Sequence, residues 1–192
     1  MTRKRAVIFG LVTTVFISVA ANIAYFQVKQ LQPVLAATPA PGFYKVVRDV
    51  DGDTIIVNMD GKDESVRFIG VDTPETHKPN SPVQCFGPQA SDFTKQHVQG
   101  SSVRLVADPT NDNRDRYGRL LRYVFLTDGT LLNKALIEQG YGFAYLSFPF
   151  QKHDEFAQAQ ADARAVDKGL WAACQTYQLN GERWQTNDLR GG

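Results

Sequence analysis

Two short runs of carboxylates are the part of this sequence whose residue types could do chemistry. The first is DVDGDT at 49–54 and the second is DTPE at 72–75. Carboxylate oxygens are hard ligands that suit Ca²⁺ or Mg²⁺ better than zinc. An EF-hand is excluded, because counting from Asp49 puts the glycine at loop position 4 and Asp60 at position 12, where that motif needs glycine at 6 and glutamate at 12. The pattern therefore indicates a hard-cation site of another kind.

Three arginines accompany these carboxylates. Arg67 lies on a predicted strand that leads into the second run, and Arg116 and Arg119 flank a Tyr-Gly pair before a later strand. A planar guanidinium can bind two phosphate oxygens at once. Two carboxylates for a metal, a third as base and two arginines form a minimal set for phosphodiester hydrolysis. Spacing alone leaves open the alternative that these residues are solvated turns and strand positions.

A domain of short strands and helices must position these side chains. The predicted strands are 43–50, 53–58, 64–71, 103–107 and 119–126, and the predicted helices are 88–98, 130–139 and 152–168. Thr130 is expected to cap the second helix, and Gly140 follows its end. Five strands in close succession, with a helix placed late among them, suit a small closed barrel. The expected fold class is α+β, a five-stranded OB-fold β-barrel with three α-helices.

The N-terminal segment is predicted to be a signal peptide or a membrane anchor. Residues 1–5 are basic and residues 6–28 form an uncharged, mostly apolar run, which sends the rest of the chain across the membrane. Small residues at 18–20 allow cleavage, yet the run can also span a bilayer of roughly 30 Å. The protein is expected to be exported, and to be secreted, periplasmic or anchored by residues 6–28. The predicted organisation is a signal or anchor at 1–28, a linker at 29–42, a folded domain at 43–175 and a short polar tail at 176–192.

Charge is distributed unevenly along the 192 residues. The first 37 residues carry four of the 21 basic residues and none of the 20 acidic ones, so the remaining body is near −3. A body of this charge argues against a broad basic surface that coats nucleic acid nonspecifically. If the protein handles phosphates, it must bind them with a few focused cations.

The chain has two cysteines, Cys85 and Cys174. An even count behind an export signal favours a disulfide, with two unpaired thiols as the alternative. Neither cysteine has the spacing of a zinc ligand. A bridge would close a loop of roughly 90 residues, which is worth on the order of 4 kcal/mol. It would also pin the C-terminal end of the domain to the exit of the loop that carries the second carboxylate run.

Six motifs together resemble the staphylococcal nuclease (thermonuclease) family. They are VDGDT at 50–54, VRFIGVDTPET at 66–76, FGPQASDFT at 86–94, DRYGR at 115–119, LxxQG at 136–140 and GLW at 169–171. The resemblance spans about Phe43 to Trp171 and keeps the family's order and similar spacing. It therefore covers every residue of the candidate set.

The resemblance implies a role for each residue of the two carboxylate runs that matches the family. Asp53 and Asp72 would ligate Ca²⁺, and the backbone carbonyl of Thr73 would be a third protein oxygen. Glu75 would hold or deprotonate the attacking water. Asp51 then serves the turn, with a supporting place near the metal as the alternative.

The resemblance also implies the groups that bind substrate. Arg67 and Arg119 would grip the scissile phosphate. Tyr117 and Tyr145 match the family's nucleotide-contacting tyrosines, and Arg116 stands where a basic residue helps to hold a terminal phosphate. The segment before Tyr145 is one residue shorter than in the best-known member, which makes that match the least secure.

The implied activity is cleavage of both DNA and RNA to leave 3′-phosphate ends, by a monomer with no protein partner. The membrane would be contacted only through the N-terminal segment. Two other classes of function are alternatives. One is a noncatalytic OB-type binding module, since fold does not fix function, although such modules typically lack these carboxylates or arginines. The other is a membrane-tethered calcium-binding or surface interaction protein.

Overall fold

The structure is a computed structural model that describes residues 42–76, 81–179 and 183–189. The predicted signal or anchor at 1–28, and the linker up to residue 41, lie outside the described residues. Among the residues that are described, none belongs to a helix with the length and apolar character needed to cross a membrane.

Five strands close into a barrel. They are β1 Phe43–Asp51, β2 Thr54–Met59, β3 Lys62–Phe68, β5 Ser102–Val106 and β6 Leu120–Phe125. Their order around the barrel is β1-β2-β3-β6-β5. All neighbours are antiparallel except β3 and β6, which pair in parallel. The predicted five-stranded OB-type barrel and its α+β class are therefore confirmed.

Period-two burial along the strands explains why these segments close around a core. Ile55 and Val57 on β2 and Val66 and Phe68 on β3 are fully or almost fully buried. Alternate residues of a strand point to opposite faces, so each strand sends its β-branched or aromatic residues inward. The barrel wall then holds the β1–β2 turn and the end of β3 in fixed positions, and both segments carry candidate site residues.

In the described part of the chain, four helices pack around the barrel. They are α1 Gly87–Val98, α2 Leu132–Glu138, α3 His153–Ala165 and the short α4 Leu170–Ala173. The first three correspond to the predicted helices, whereas α4 was not predicted. The expected cap at Thr130 is wrong, because the N-cap of α2 is Leu131 and it has no side-chain capping bond. The backbone of Thr130 instead closes a turn, accepting a hydrogen bond from Leu126 and donating one to Asp128.

The predicted strand at 64–71 is interrupted in a way that shapes the site. β3 ends at Phe68, and a turn through Gly70, with φ of +72°, leads to β4, Val71–Asp72. A Cβ on Gly70 would lie 2.7 Å from the ring of Phe150, so both the backbone conformation and the packing require glycine. β4 pairs antiparallel with β7, Phe143–Ala144. The turn thereby directs Asp72 towards the end of the barrel.

The described part of the predicted polar tail at 176–192 has regular structure. Two strands, β8 Thr176–Leu179 and β9 Arg183–Thr186, pair as an antiparallel hairpin. The expected disulfide joins Cys85 to Cys174, with 5.9 Å between the Cα atoms. It fixes the chain just before the hairpin begins. Contacts distant in sequence therefore hold a segment whose own composition is polar.

Gly140 and Gly169 bring the end of α2 against the start of α4. Leu170 N donates to the carbonyl of Gly140 at 2.8 Å, and a Cβ on Gly140 would lie 2.1 Å from the carbonyl oxygen of Lys168. Gly140 also has φ of +70°. We expect Gly140→Ala to lower the free energy of unfolding by about 3 kcal/mol or more, because backbone strain and a backbone clash add. Urea denaturation measures this loss.

Gly129→Ala is the matched control for this substitution. Gly129 has φ of +89° but no described atom within 4 Å of an added Cβ. Gly129→Ala should then lower the free energy of unfolding by about 1–2 kcal/mol, from the strained backbone conformation alone. Equal losses for the two variants would show that the contact between Gly140 and Lys168 contributes nothing.

Candidate active site

Asp53 joins two segments at one end of the barrel. It is only 6% exposed; its Oδ2 accepts a hydrogen bond from the backbone N–H of Thr73 at 3.0 Å and its Oδ1 accepts one from Thr54 Oγ1 at 3.0 Å. A Cβ on neighbouring Gly52 would lie 2.7 Å from Thr73 Oγ1. Glycine therefore lets the β1–β2 turn approach the segment after β4, which brings the two carboxylate runs together.

Arg67 lies between the two carboxylates that these segments supply. Its Nη2 is 3.1 Å from Asp53 Oδ2 and 3.1 Å from Asp72 Oδ1. Its Nη1 donates to the carbonyls of Val71 at 2.7 Å and Phe68 at 3.0 Å. The guanidinium thus fastens the turn between β3 and β4. Because two carboxylate oxygens share one nitrogen, the structure places the two predicted metal ligands side by side.

The electrostatics of this cluster show crowded negative charge. Burial, reinforced by the Asp53 carboxylate, raises the pKa of Asp51 to about 7. Burial also raises the pKa of Asp72, although Arg67 opposes the change. Burial alone would lower the pKa of Arg67, but the carboxylates of Asp53 and Asp72 raise it above its ordinary value. Buried carboxylates at this density favour a neighbouring cation.

The donor chemistry of the cluster fits a hard divalent cation. Asp53 and Asp72 offer carboxylate oxygens and Thr73 offers a backbone carbonyl. In the part of the chain that the structure describes, no group of three or more His, Cys, Asp or Glu side chains is arranged to hold a metal ion. A bound ion would therefore depend on these two carboxylates, the backbone oxygen and water.

Glu75 lies in a cleft beside this cluster. The cleft has a volume of about 340 Å³, and Asp72, Thr73 and Glu75 are among the residues that line it. Gln84 fixes the backbone of Glu75 twice: its Oε1 accepts from Glu75 N at 2.9 Å, and its own N–H donates to Glu75 O at 2.9 Å. Gln84 is only 7% exposed. Sequence analysis did not identify it, because a lone glutamine in a proline-rich loop carries no local signal.

Arg119 reaches the same end of the barrel from β6. Parallel pairing of β3 with β6 begins one residue after Arg119, and its Nη1 lies 3.5 Å from Thr54 Oγ1. Asp115 holds this loop: it accepts from Arg119 Nε at 2.7 Å, from Arg119 N at 3.0 Å and from Tyr117 N at 2.9 Å. Burial alone would raise the pKa of Asp115, but the hydrogen bonds from Arg119 lower this pKa below its usual value. Asp115 is a positioning residue that sequence analysis had not assigned.

Tyr117 and Arg116 form the rim next to Arg119. Tyr117 is 68% exposed, and the guanidinium carbons of Arg116 and Arg119 lie 4.8 and 5.4 Å from its ring centre. Arg116 also donates to the Tyr117 hydroxyl at 2.7 Å. This exposed aromatic ring with two cations around it can contact a nucleotide base and its phosphate.

Tyr145 joins the site through Arg183, a residue that sequence analysis placed in the polar tail. The backbone N–H of Tyr145 donates to Gly70 O at 2.9 Å, and the Tyr145 ring centre is 5.8 Å from the guanidinium carbon of Arg183. Arg183 Nε in turn donates to Asp72 Oδ2 at 3.0 Å. The structure therefore brings every predicted site residue to one end of the barrel and adds Arg183 to them.

Comparison with known proteins agrees with this arrangement. The sequence model of the family described as staphylococcal nuclease homologues matches residues 65–173. The thermonuclease of Staphylococcus hyicus is 48% identical over 130 residues, which cover 67% of this chain and 75% of that protein. The thermonuclease of Staphylococcus intermedius is 46% identical over 129 residues, with the same two coverages. The endonuclease YncB of Bacillus subtilis (strain 168) is 41% identical over 127 residues, 65% of this chain and 59% of that protein.

The residues that the family model matches include Arg67, Asp72 and Glu75, together with Arg119. Nucleases that act on phosphodiester bonds use such groups to hold and hydrolyse a phosphoryl centre. The chain belongs to the staphylococcal nuclease family and is a hydrolase of phosphodiester bonds, a nuclease.

Proposed function

We propose that this nuclease depends on Ca²⁺, is exported, and cleaves both DNA and RNA to leave 3′-phosphate ends. The observation that carries the proposal is the pairing of Asp53 and Asp72 through Arg67, next to the cleft that Glu75 lines. Hard carboxylate ligands, a base and two guanidinium groups are then available at one end of the barrel.

Asp53, Asp72 and the Thr73 carbonyl would hold the Ca²⁺ ion. When bound, it neutralises charge on a non-bridging phosphoryl oxygen. Oxygen donors from two carboxylates and a backbone carbonyl suit the flexible coordination of Ca²⁺, whereas Mg²⁺ demands near-octahedral geometry and keeps more of its own water. The shared partner Arg67 keeps both carboxylates oriented towards one point.

Glu75 accepts the proton of the attacking water. The water oxygen then bonds to phosphorus and the bond from phosphorus to the 5′-oxygen breaks. The 5′-oxygen leaves with the electron pair and takes up a proton from water, and the phosphate remains on the 3′-oxygen. Arg67 and Arg119 donate to the phosphoryl oxygens as negative charge grows on them. Asp115 holds Arg119 in place for this contact through the bonds to its Nε and N.

Tyr117 and Tyr145 contact the bases or sugars next to the scissile phosphate, and Arg116 contacts a terminal phosphate. Their positions at the rim beside Arg119 and beside Arg183 support this assignment. The tyrosine rings tolerate any base, since every base has a π face. Such contacts support cleavage of both nucleic acids, and we propose that the protein acts as a monomer.

Export is supported by the sequence of residues 1–28 and by the disulfide between Cys85 and Cys174. Disulfides persist in oxidising compartments outside the cytoplasm. We place the protein outside the cytoplasmic membrane, either secreted, periplasmic or anchored. Fractionation of producing cells tests this placement, and recovery of the active protein in the cytoplasm would contradict it.

Removing calcium tests the proposed chemistry directly. Full-length protein in detergent is incubated with single-stranded DNA or with RNA, in Ca²⁺ or in a calcium chelator. We expect the chelator to slow cleavage of both substrates at least about 100-fold, since a metal ion stabilises the transition state by several kcal/mol. Added Ca²⁺ should restore the rate. The DNA products should resist 3′-end extension until a phosphatase is added. Unchanged cleavage in the chelator would overturn the calcium assignment.

A further inference from the structure

The hairpin formed by β8 and β9 is docked on the loop that follows the carboxylates of the active site. The Cys85–Cys174 disulfide anchors its base. Beyond β9, Cys85 N donates to Asn187 O at 2.8 Å and Leu189 N donates to Val83 O at 2.7 Å. These bonds extend a strand-like pairing along residues 83–85. The hairpin is therefore part of the folded domain, although it lies beyond residues 65–173, which the family match covers.

Aromatic packing fixes one side of the hairpin. The Trp184 ring is stacked 6.4 Å from Phe143 and lies edge-on to Trp171 at 5.3 Å. The guanidinium carbon of Arg164 lies 4.7 Å from the Trp184 ring centre. Phe143 is the residue of β7 that pairs with Asp72. A buried aromatic cluster thus fixes the position of β9 relative to the candidate metal ligand.

Residues of the hairpin and of the catalytic loop line the same cleft of about 340 Å³. Tyr177 and Arg183 come from the hairpin, and Asp72 and Glu75 come from the loop. Tyr177 is 44% exposed and the Arg183 side chain is 46% exposed. The size suits a small polar ligand such as one nucleotide unit.

Arg183 has further hydrogen-bond donors available at this cleft. Its Nε donates to Asp72 Oδ2 at 3.0 Å, while Arg67 pairs with the other oxygen, Oδ1, of the same carboxylate. Within the described residues, the two terminal nitrogens of Arg183 have no hydrogen-bond partner. A half-exposed guanidinium that is oriented through Nε can still offer its terminal nitrogens to a phosphate.

We propose that Arg183 is a substrate-binding residue that holds a phosphate next to the scissile one, with the β8–β9 hairpin as an added wall of the substrate cleft. The proposal rests on the assignment of the scissile phosphate to Arg67 and Arg119. Arg183 and Arg67 contact different oxygens of the Asp72 carboxylate. A phosphate bound by Arg183 therefore lies beside the reacting centre and not at it. Tyr177 offers an exposed ring on which the adjoining base can stack.

The charge of the protein makes one further cation important. The chain outside its first 37 residues has more acidic than basic residues, so nonspecific attraction of nucleic acid is weak. Each arginine in the cleft then contributes a larger share of the affinity. Each phosphate contact on a single strand adds about 0.7 to the slope of log affinity against log salt, and a contact made by Arg183 must appear in that slope.

The experiment compares Arg183→Ala with Arg104→Ala in the full chain. Arg104 is an exposed arginine on β5 that packs on Phe125 outside the cleft, so both variants lose one positive charge. The substrates are a 12-nucleotide single strand and a dinucleotide with a single phosphodiester. Kinetics are measured over a range of salt concentrations, with whichever divalent cation supports cleavage. Failure of the calcium assignment therefore leaves this comparison intact.

We expect Arg183→Ala to raise KM for the 12-mer about tenfold and to lower its salt slope by about 0.7. Cleavage of the dinucleotide should fall less than cleavage of the 12-mer, because the dinucleotide has no neighbouring phosphate for Arg183 to bind. Arg104→Ala should change neither substrate. Arg183→Lys retains the charge and should keep most of the salt slope, with a KM between those of the wild type and the alanine variant.

Three results would overturn the proposal. Equal losses on both substrates, together with a lower unfolding midpoint, would make Arg183 a structural residue. Faster cleavage of both substrates with tighter Ca²⁺ binding would show that Arg183 competes with the ion for Asp72. Unchanged kinetics on the 12-mer would show that no phosphate is bound at Arg183.

Discussion

Replacing Glu75 by glutamine is expected to lower the rate of DNA cleavage about 10³-fold while the free energy of unfolding changes by less than about 1 kcal/mol. Glutamine retains the shape of the side chain but cannot accept a proton from water. The backbone of Glu75 is held by Gln84 through two 2.9 Å hydrogen bonds, and these do not involve the carboxylate. The loop should therefore keep its conformation. Single-turnover cleavage and urea denaturation measure the two quantities.

Glu138→Gln is the matched control for the Glu75 variant. Glu138 ends α2, where its half-exposed carboxylate pairs with Lys134. The same change of charge and shape occurs there, outside the cleft. Its cleavage rate should stay within twofold of the wild type. A Glu75→Gln enzyme that cuts at the normal rate would remove Glu75 from the role of base, whereas a large loss of stability would make it a structural residue.

Sequence patterns predicted the barrel because each strand is marked by residues that are close together in the sequence. Alternation of buried and exposed residues along β2 and β3 marks both strands, and buried Val66 and Phe68 appear in that pattern. The clustering of the candidate site residues was also predictable, because these residues stand in short motifs at turns and strand ends. Arg67 is opposite Thr54 across the β2–β3 pair, so one strand register carries the arginine to the β1–β2 turn.

The residues that the sequence did not indicate depend on contacts between distant segments. Gln84 gains its role from Glu75, nine residues away, and no motif predicts that bond. The strands β8 and β9 are short and polar, with no strong periodicity. The hairpin folds where it does because a disulfide, a stack of Trp184 on Phe143 and pairing with residues 83–85 act together. Arg183 consequently reaches Asp72 from 111 residues further along the chain.

Replacing Arg67 by methionine is expected to have two effects. Cleavage should slow about 10³-fold, because two charge-assisted donors to the phosphoryl oxygens are lost. Without calcium, the free energy of unfolding should fall by about 3 kcal/mol. The guanidinium is the cation that Asp53 and Asp72 share, and its removal leaves two buried carboxylates next to each other. Cleavage kinetics and urea denaturation in a chelator measure the two losses.

Calcium should stabilise the methionine variant more than it stabilises the wild type. If Asp53 and Asp72 are the ligands, removing the neighbouring positive charge strengthens their attraction for the ion, and a ligand that binds only the folded state stabilises it by mass action. The difference appears as a larger shift of the unfolding midpoint on adding Ca²⁺. Equal shifts in the two proteins would mean that the ion binds away from these carboxylates.

Arg67→Lys separates charge from shape at the same position. Lysine retains a cation near Asp53 and Asp72, so it should recover much of the stability lost in the methionine variant. It lacks the planar fork that binds two phosphate oxygens, so the cleavage rate should remain at least about 100-fold below that of the wild type. A lysine enzyme with normal rate would show that Arg67 contributes only charge. The distinction matters because Arg67 already uses Nη1 for the Val71 and Phe68 carbonyls and Nη2 for Asp53 and Asp72, so contact with a phosphate must use Nε together with Nη2.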